Sequence, residues 1–463
     1  MAEETWHTAR LIPTSGINGA EEQERRATSA LLAVMSAVKE FGRAIVKPLG
    51  APAGPVETFI EVPFTHDGAR VFPDGLVRVK RGQRTWTALV EVKTGKSTLD
   101  ATQLDAYLDV ARAHEFDALI TISNEISSAP GVHPTAVDKR KLKRVALRHL
   151  SWTQVLSEAH LQKEHRGVAD PDQAWILGEL IRYLEHDRSG AMKFEDMGPS
   201  WVGVRDAIKS GTLRAADPGA QDVAARWDQL LQYLSLQLGR KLGIEVRPVV
   251  TRREQDDPAV RLGAVVAALV EQGALVGAIR VPNAVGPIEL RADVRAGLLS
   301  CSVDVDAPRT GRPVTGVTWM LRQLKAAADD VRVDAFARHT RGSSTSALLS
   351  DLRGDPKLLV ADPKKELKTF RVARTVPAGL KRGAGRGTFV TAVLEVVDDF
   401  YKTTVQGIKP WSEPPPRLRK EDLDEEREAG VPVALRSTAL SSQDGSEHAE
   451  PGGPEPAEPA AGQ

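Results

Sequence analysis

The chain has 463 residues, 41% of them hydrophobic, and its 62 basic residues balance 62 acidic ones to a formal net charge of zero. That length predicts two or three domains with real cores, and the charge balance excludes arguing a nucleic-acid partner from the total, leaving only local patches. A single cysteine, Cys301, excludes a disulfide framework and a cysteine-built zinc site. The longest apolar run, 262–276, is short and broken by Glu271, and no basic-then-apolar leader is present. The expectation is a cytoplasmic protein with no membrane partner.

Residues 20–42 place Ala27, Leu31, Val34, Met35 and Val38 at three- and four-residue spacing, which predicts a first helix with one apolar stripe. Glu24 lies on the extension of that stripe, either as a capping or solvated glutamate or as a carboxylate aimed where the stripe packs. After a Gly/Pro turn at 50–55, a strand is expected over 57–64, and His66-Asp67-Gly68 signals a hairpin. Strands over 71–80 and 85–93 follow, joined by the turn Arg81-Gly82-Gln83-Arg84. Residues 99–114 read as a helix, and 116–123 as a nearly all-apolar strand of the kind buried on both faces. An edge strand at 145–150 and a short helix from Ser151-Trp152 complete an α/β domain over 1–163, in the order helix, three strands, helix, strand.

Asp170-Pro171-Asp172 is a helix start with proline in the first turn. A second helix is expected over 222–238, strands over 244–250, 274–281, 288–294, 298–305 and 331–337, and a helix within 314–328. Residues 164–409 thus read as a mixed α+β region that binds substrate or a protein partner. Residues 364–386 hold eight basic residues against Glu366 and include the glycine-rich piece 381–387, either a phosphate-tracking loop or a solvated hairpin tip. From residue 410 onward, Pro414-Pro415-Pro416, the acidic run 421–426 and aperiodic Pro/Glu/Ala/Gly sequence predict a disordered tail.

The chemistry concentrates at 73–107. An antiparallel pair of strands brings Asp74 beside Glu91 and Lys93, which leave one face of their strand because they are two apart. An exposed edge strand also tolerates such an ion pair. The functional reading is phosphodiester hydrolysis: Asp74 and Glu91 offer hard oxygen ligands for Mg²⁺ or Mn²⁺, and the Val92 carbonyl can add a third. Lys93 can orient the attacking water or stabilise the transition state, and Glu24 can complete the ligand set from the helix. Gln103 and Tyr107 share a helix face, with Gln103 able to bond a phosphate or metal-bound water and Tyr107 a phosphate or Lys93; Tyr107 is equally a half-buried core aromatic. Lys96, Arg78, Lys80 and the basic run 139–144 are candidate phosphate contacts or charged edge protection.

This order resembles the PD-(D/E)XK nuclease superfamily, with Pro73-Asp74 and Glu91-Val92-Lys93 matching its signature. Gln103-Leu104-Asp105-Ala106-Tyr107 is similar to the Gln-x-x-x-Tyr element of the RecB-like and phage-exonuclease-like branch. A helical glutamate often precedes the aspartate in that family, and Glu24 is the position assigned to it. The resemblance covers about residues 20–125. It implies a restriction-endonuclease-like N-terminal domain and metal-dependent cleavage of DNA, less often RNA, in restriction, phage defence or repair, with Gln103 and Tyr107 near the cut strand. A homodimer is a natural way to cut both strands. The competing readings are a catalytically silent nucleic-acid-binding or scaffold protein, and a nuclease subunit active only in a multiprotein complex.

Overall fold

The first apolar stripe forms a helix, but a shorter one than its spacing predicts. In the computed structural model, which describes residues 10–127, 132–339, 345–383, 385 and 387–413, α1 spans Ala20–Ala37 and stops where Val38 turns extended (φ −99°, ψ 96°). Helix α2, Lys39–Val46, folds back on the end of α1. Gly42 permits the close return, since a Cβ there would lie 2.0 Å from the Met35 carbonyl oxygen. The apolar period continues through this corner, so spacing alone cannot reveal it. Gly42→Ala is expected to lower stability by about 1–3 kcal/mol, because a backbone atom and not a flexible side chain must move; urea unfolding measures it.

Strand β1 is Val56–Ile60, followed by a small hairpin of β2, Phe64–His66, and β3, Ala69–Val71. Its turn is the predicted His66-Asp67-Gly68, with Asp67 and Gly68 both left-handed (φ 48° and 79°). Val71 therefore belongs to the hairpin. Pro73, which has no N–H to donate, falls between that hairpin and β4, Gly75–Arg81, so the single strand expected over 71–80 is two pieces. Strand β5, Arg84–Val92, returns through Gly82 and Gln83.

Helix α3, Ala101–Ala113, starts at Asp100, whose carboxylate accepts from the Gln103 amide at 2.8 Å. Strands β6, Ala118–Ser123, and β7, Ala146–Ser151, come next, and a Ser151/Gln154 capping box opens α4, Trp152–His160.

These strands form one five-stranded sheet in the order β1-β4-β5-β6-β7. The pairs β1/β4 and β4/β5 are antiparallel, while β5/β6 and β6/β7 are parallel. Every residue of β6 is buried, as its sequence predicts. Val77, Val90, Val92, Ile120 and Ile122 pack beneath α1, α2, α4 and helix α5, Pro171–Leu184. Leu76, Leu89 and Leu119 pack on the opposite side against Leu104, Tyr107 and Leu108 of α3. Asp170 caps α5 by accepting from the Asp172 and Gln173 amides at 2.9 and 3.1 Å.

Beyond α5 the chain forms α6, Trp201–Ser210; α7, Pro218–Leu242; β8, Arg247–Pro248; α8, Arg252–Asp256; and α9, Pro258–Gln272. Then come β9, Ala274–Arg280; β10, Ile288–Asp293; β11, Leu298–Asp306; α10, Pro313–Gln323; and β12, Arg332–Ala337. The last elements are β13, Thr345–Leu348; α11, Leu349–Gly354; β14, Leu367–Pro377; and α12, Phe389–Thr403.

Seven of the strands make a wholly antiparallel sheet, β13-β12-β14-β11-β10-β9-β8. Alternate residues such as Leu290, Cys301, Val303, Phe370 and Val372 face one core that includes α7, α9 and α12. Cys301 is fully buried, and burial pushes its thiol up to about 12, which suits an inert core residue.

Two expectations change here. The strand over 244–250 reduces to the pair Arg247–Pro248 at the sheet edge, where Pro248 limits pairing. About half of the basic stretch 364–386, including Lys368, Arg371 and Arg374, is β14, a central strand between β12 and β11, and not a loop. Residues up to Trp411 form one compact unit. The second unit, Ser412–Gln463, has only its first two residues described, so the tail expected from 410 lies almost wholly outside the described residues, as do Ala384 and Arg386 of the glycine-rich piece. The molecule is a mixed α/β protein, and no helix among its described residues is long and apolar enough to cross a membrane.

Candidate active site

Antiparallel pairing of Gly75 with Val90 sets Asp74, just before β4, beside the end of β5. The Val92 amide donates to Asp74 Oδ2 at 2.7 Å, so Val92 engages the aspartate through its N–H. Lys93 Nζ lies 2.7 Å from Glu91 Oε1 and donates to Glu24 Oε1 at 3.0 Å. Glu24 thus reaches the strand ends from α1. Four of the six side chains singled out by sequence converge here: Glu24, Asp74, Glu91 and Lys93.

The centre is withdrawn from water. The Glu91 side chain is 1% exposed, that of Lys93 15% and that of Glu24 19%. Burial, reinforced by the neighbouring Asp74 charge, pushes the Glu91 carboxyl up to about 8 against the pull of Lys93. Burial also raises Glu24, again opposed by Lys93. For Lys93, burial works against the ammonium, but Glu91 and then Glu24 outweigh it and hold it charged. The ammonium's rise requires ionised carboxylates while the rise at Glu91 describes a protonated one. Both follow from the same imbalance, three carboxylates around one ammonium, and the direction that holds is that the site resists its surplus negative charge.

A divalent cation offsets that surplus, and the donor set suits one. Both Glu91 oxygens are buried; Oε1 is met by the Lys93 ammonium at 2.7 Å, and Oε2 has no hydrogen-bond partner among the described residues. An unpartnered carboxylate oxygen beside a second carboxylate is a hard ligand of the kind Mg²⁺ and Mn²⁺ take. Asp74, Glu91 and the Val92 carbonyl are the groups that would hold the ion. Among the described residues, no three His, Cys, Asp or Glu side chains converge tightly enough to hold a metal ion; Glu24 and Glu91 both lie against the Lys93 ammonium.

A metal ion bound at Glu91 would have to displace the proton that this carboxyl favours. Affinity for Mn²⁺ or Mg²⁺ is therefore expected to rise with pH up to about 8 and then level. Titration calorimetry in buffers of different ionisation enthalpy should show proton release below that pH. Affinity independent of pH would overturn the assignment of Glu91 as a ligand.

Tyr107 lies within reach of the Glu91, Asp74 and Lys93 charges, but its hydrogen bonds run to Gln103 and the backbone. The Tyr107 hydroxyl donates to the Phe72 carbonyl at 3.2 Å and accepts from Gln103 Nε2 at 3.1 Å. Its partner is thus the backbone two residues before Asp74, not Lys93. Burial pushes Tyr107 up to about 12, so it stays a donor. The pair acts as a strut that positions Asp74. Tyr107→Phe is expected to cost about 1 kcal/mol of stability and about tenfold in the reaction proposed below, through kcat more than KM.

One supporting residue escapes the sequence reading. Trp152, 1% exposed at the start of α4, donates its indole N–H to the Lys93 carbonyl at 2.9 Å. The Lys93 amide in turn donates to Ile122 at 2.7 Å, so the backbone carrying the ammonium is clamped on both sides. A tryptophan after a capping serine signals a buried ring seeking an acceptor, but nothing in the sequence names that acceptor.

Several basic candidates are engaged within the chain. Lys141 bonds Asp109 at 2.7 Å, Arg140 bonds Asp138, and Arg371 makes two bonds to Asp304 at 2.7 and 2.8 Å. Arg374 pairs with Asp330 and Asp399. Lys96, Lys139, Lys143 and Arg144 are exposed. Compared with known proteins, the chain matches no family model, no curated protein and no solved structure.

Proposed function

We propose that this chain is a divalent-metal-dependent nuclease of PD-(D/E)XK type acting on DNA. The observation that carries the reading is the buried Lys93 ammonium bridging Glu91 and Glu24 beside Asp74, with Glu91 Oε2 left without a hydrogen-bond partner among the described residues. Core packing has no use for that set. The order antiparallel, antiparallel, parallel around β4, β5 and β6, with α1 and α3 on opposite faces, supports a restriction-endonuclease-like domain.

In this reading Asp74, Glu91 and the Val92 carbonyl hold Mg²⁺ or Mn²⁺, which when bound lowers the pKa of water and offsets charge on the phosphate. Lys93 directs the attacking water and stabilises charge developing on the phosphoryl oxygens, in a low-dielectric position where such a charge acts strongly. Glu24 aims the ammonium, Trp152 fixes its backbone, and the Gln103–Tyr107 strut sets Asp74. Water adds to phosphorus, one P–O bond breaks, and the leaving oxygen takes up a proton.

One observation favours a second form of the reading, a nuclease subunit active only with a protein partner or second copy. Arg140, Lys141, Arg371 and Arg374 are neutralised internally, which removes two cations of the 139–144 run and two of β14 from the charge offered to DNA. Restriction, phage defence or repair, in the cytoplasm, is the setting this chemistry suits.

The test is incubation of the full chain with linear, nicked and circular DNA and with RNA, in Mg²⁺, Mn²⁺ or EDTA. DNA cleavage is expected only with metal. Cleavage unaffected by EDTA, or none under any condition with or without its cellular partners, would overturn the proposal.

A further inference from the structure

Asp74 and Glu24 also face a recess of about 370 Å³ between the first turns of α1 and the end of β1. Its size lies at the small end of ligand-sized cavities, roughly 300–1,000 Å³. Two of its walls are apolar yet open to solvent: Phe72 is 53% exposed and Ile60 47%. The rim is acidic. Arg25, its one cation, lies 2.8 Å from Glu21 and 3.6 Å from Glu61 and is neutralised by them.

Such a recess repels a phosphate. It accommodates a flat, uncharged ring whose edge carries N–H donors, with the face of the ring on Phe72 and the donors toward Glu61 or Glu21. A nucleobase has that chemistry. Inside a closed duplex its faces are stacked and its donors paired, so only an unpaired base can enter.

Phe72 is also held ready. Tyr107 fixes its carbonyl at 3.2 Å, Pro73 restricts its backbone to extended conformations, and its ring alone is left open. Fixed exposed aromatics of this kind are the stacking platforms of single-strand binders.

From this juxtaposition we infer that the recess takes an unpaired nucleobase next to the scissile phosphate, making single-stranded or frayed nucleic acid the substrate class. The inference rests on the hydrolytic reading of the adjoining carboxylates.

The test uses the full chain in Ca²⁺, an oxygen-seeking ion, with an oligonucleotide containing 2-aminopurine, free or in a blunt duplex. The single strand is expected to bind about tenfold tighter than the duplex, with its fluorescence quenched by stacking. Phe72→Ala should weaken single-strand binding about tenfold, the scale of one lost base–aromatic stack, and Phe72→Trp should preserve it. Equal affinity for strand and duplex, or Phe72→Ala without effect, would overturn the inference. Phe72-dependent strand binding without any Mg²⁺-dependent cleavage, with or without cellular partners, would keep the nucleobase subsite and overturn the hydrolytic reading alone.

Discussion

Replacing Lys93 by alanine is expected to reduce metal-dependent cleavage by about 10²–10³-fold, the cost of removing one preorganised group that stabilises transition-state charge. Asp74→Ala and Glu91→Ala should lose at least as much, because each removes an oxygen ligand of the proposed ion. The three differ in what added metal restores. With Asp74 or Glu91 removed, metal affinity falls, and raising Mn²⁺ should recover part of the rate. With Lys93 removed, the ligands remain and the surplus negative charge is larger, so metal should bind at least as tightly while the rate stays low. Lys93→Arg is a useful companion: it keeps the charge, but its planar fork does not occupy the place of a compact ammonium, so partial activity is expected. Rates are compared at saturating metal, with circular dichroism confirming the fold of each variant. Cleavage that persists in both Lys93→Ala and Asp74→Ala would sink the assignment.

The centre was legible because its chemistry runs along two adjacent strands joined by a short turn. Asp74, Glu91 and Lys93 meet through local pairing, and the turn at Gly82 fixes the register that joins them. Glu24 was legible for a different reason: it extends a helical stripe that packs on the same sheet. Tyr107 was half legible. Helical spacing placed it with Gln103, but its acceptor is the backbone of Phe72, and backbone acceptors leave no trace in a sequence.

The same limit explains the basic stretch. Lys368, Arg371 and Arg374 look like a phosphate track until register pairs Asp304 with Arg371 across β11 and β14. Phe370 and Val372 face inward on either side of Arg371, the ordinary alternation of an antiparallel strand with one wet face, while Arg374 shares their face and is answered by Asp330 and Asp399. Charge written in one segment was answered by charge some 67 residues away, which only the folded sheet reveals. Helix α9 was missed because its apolar residues cover so much of the surface that little polar face announces a period, whereas α12 carries a regular stripe of Phe389, Val393, Val396, Val397 and Phe400 that the sequence does announce.

Glu91 also makes the metal-free fold pH-sensitive, and this gives the second large effect. Its carboxyl is raised from 4.5 to about 8 in the folded chain, chiefly by burial and then by Asp74. A raised folded value means that the folded state binds this proton more tightly than the unfolded one. Its favourable contribution is therefore complete below about 4.5 and is lost as pH climbs toward 8. In EDTA, stability should fall by a few kcal/mol across that window, and Glu91→Gln, which does not titrate, should flatten the slope and be the more stable protein near the upper end. Lys93→Ala should do the reverse: without the ammonium Glu91 holds its proton to higher pH than in the native chain, and once ionised it is buried, charged and unpaired, at a cost of about 3–5 kcal/mol. The deficit should shrink as pH falls and Glu91 takes up its proton, and it should largely vanish in the Lys93→Ala/Glu91→Gln double variant. Urea unfolding in EDTA measures all four proteins. Parallel pH profiles for the native chain and Glu91→Gln would mean that Glu91 does not hold the surplus charge, and the case for a cation at that carboxylate would fail with it.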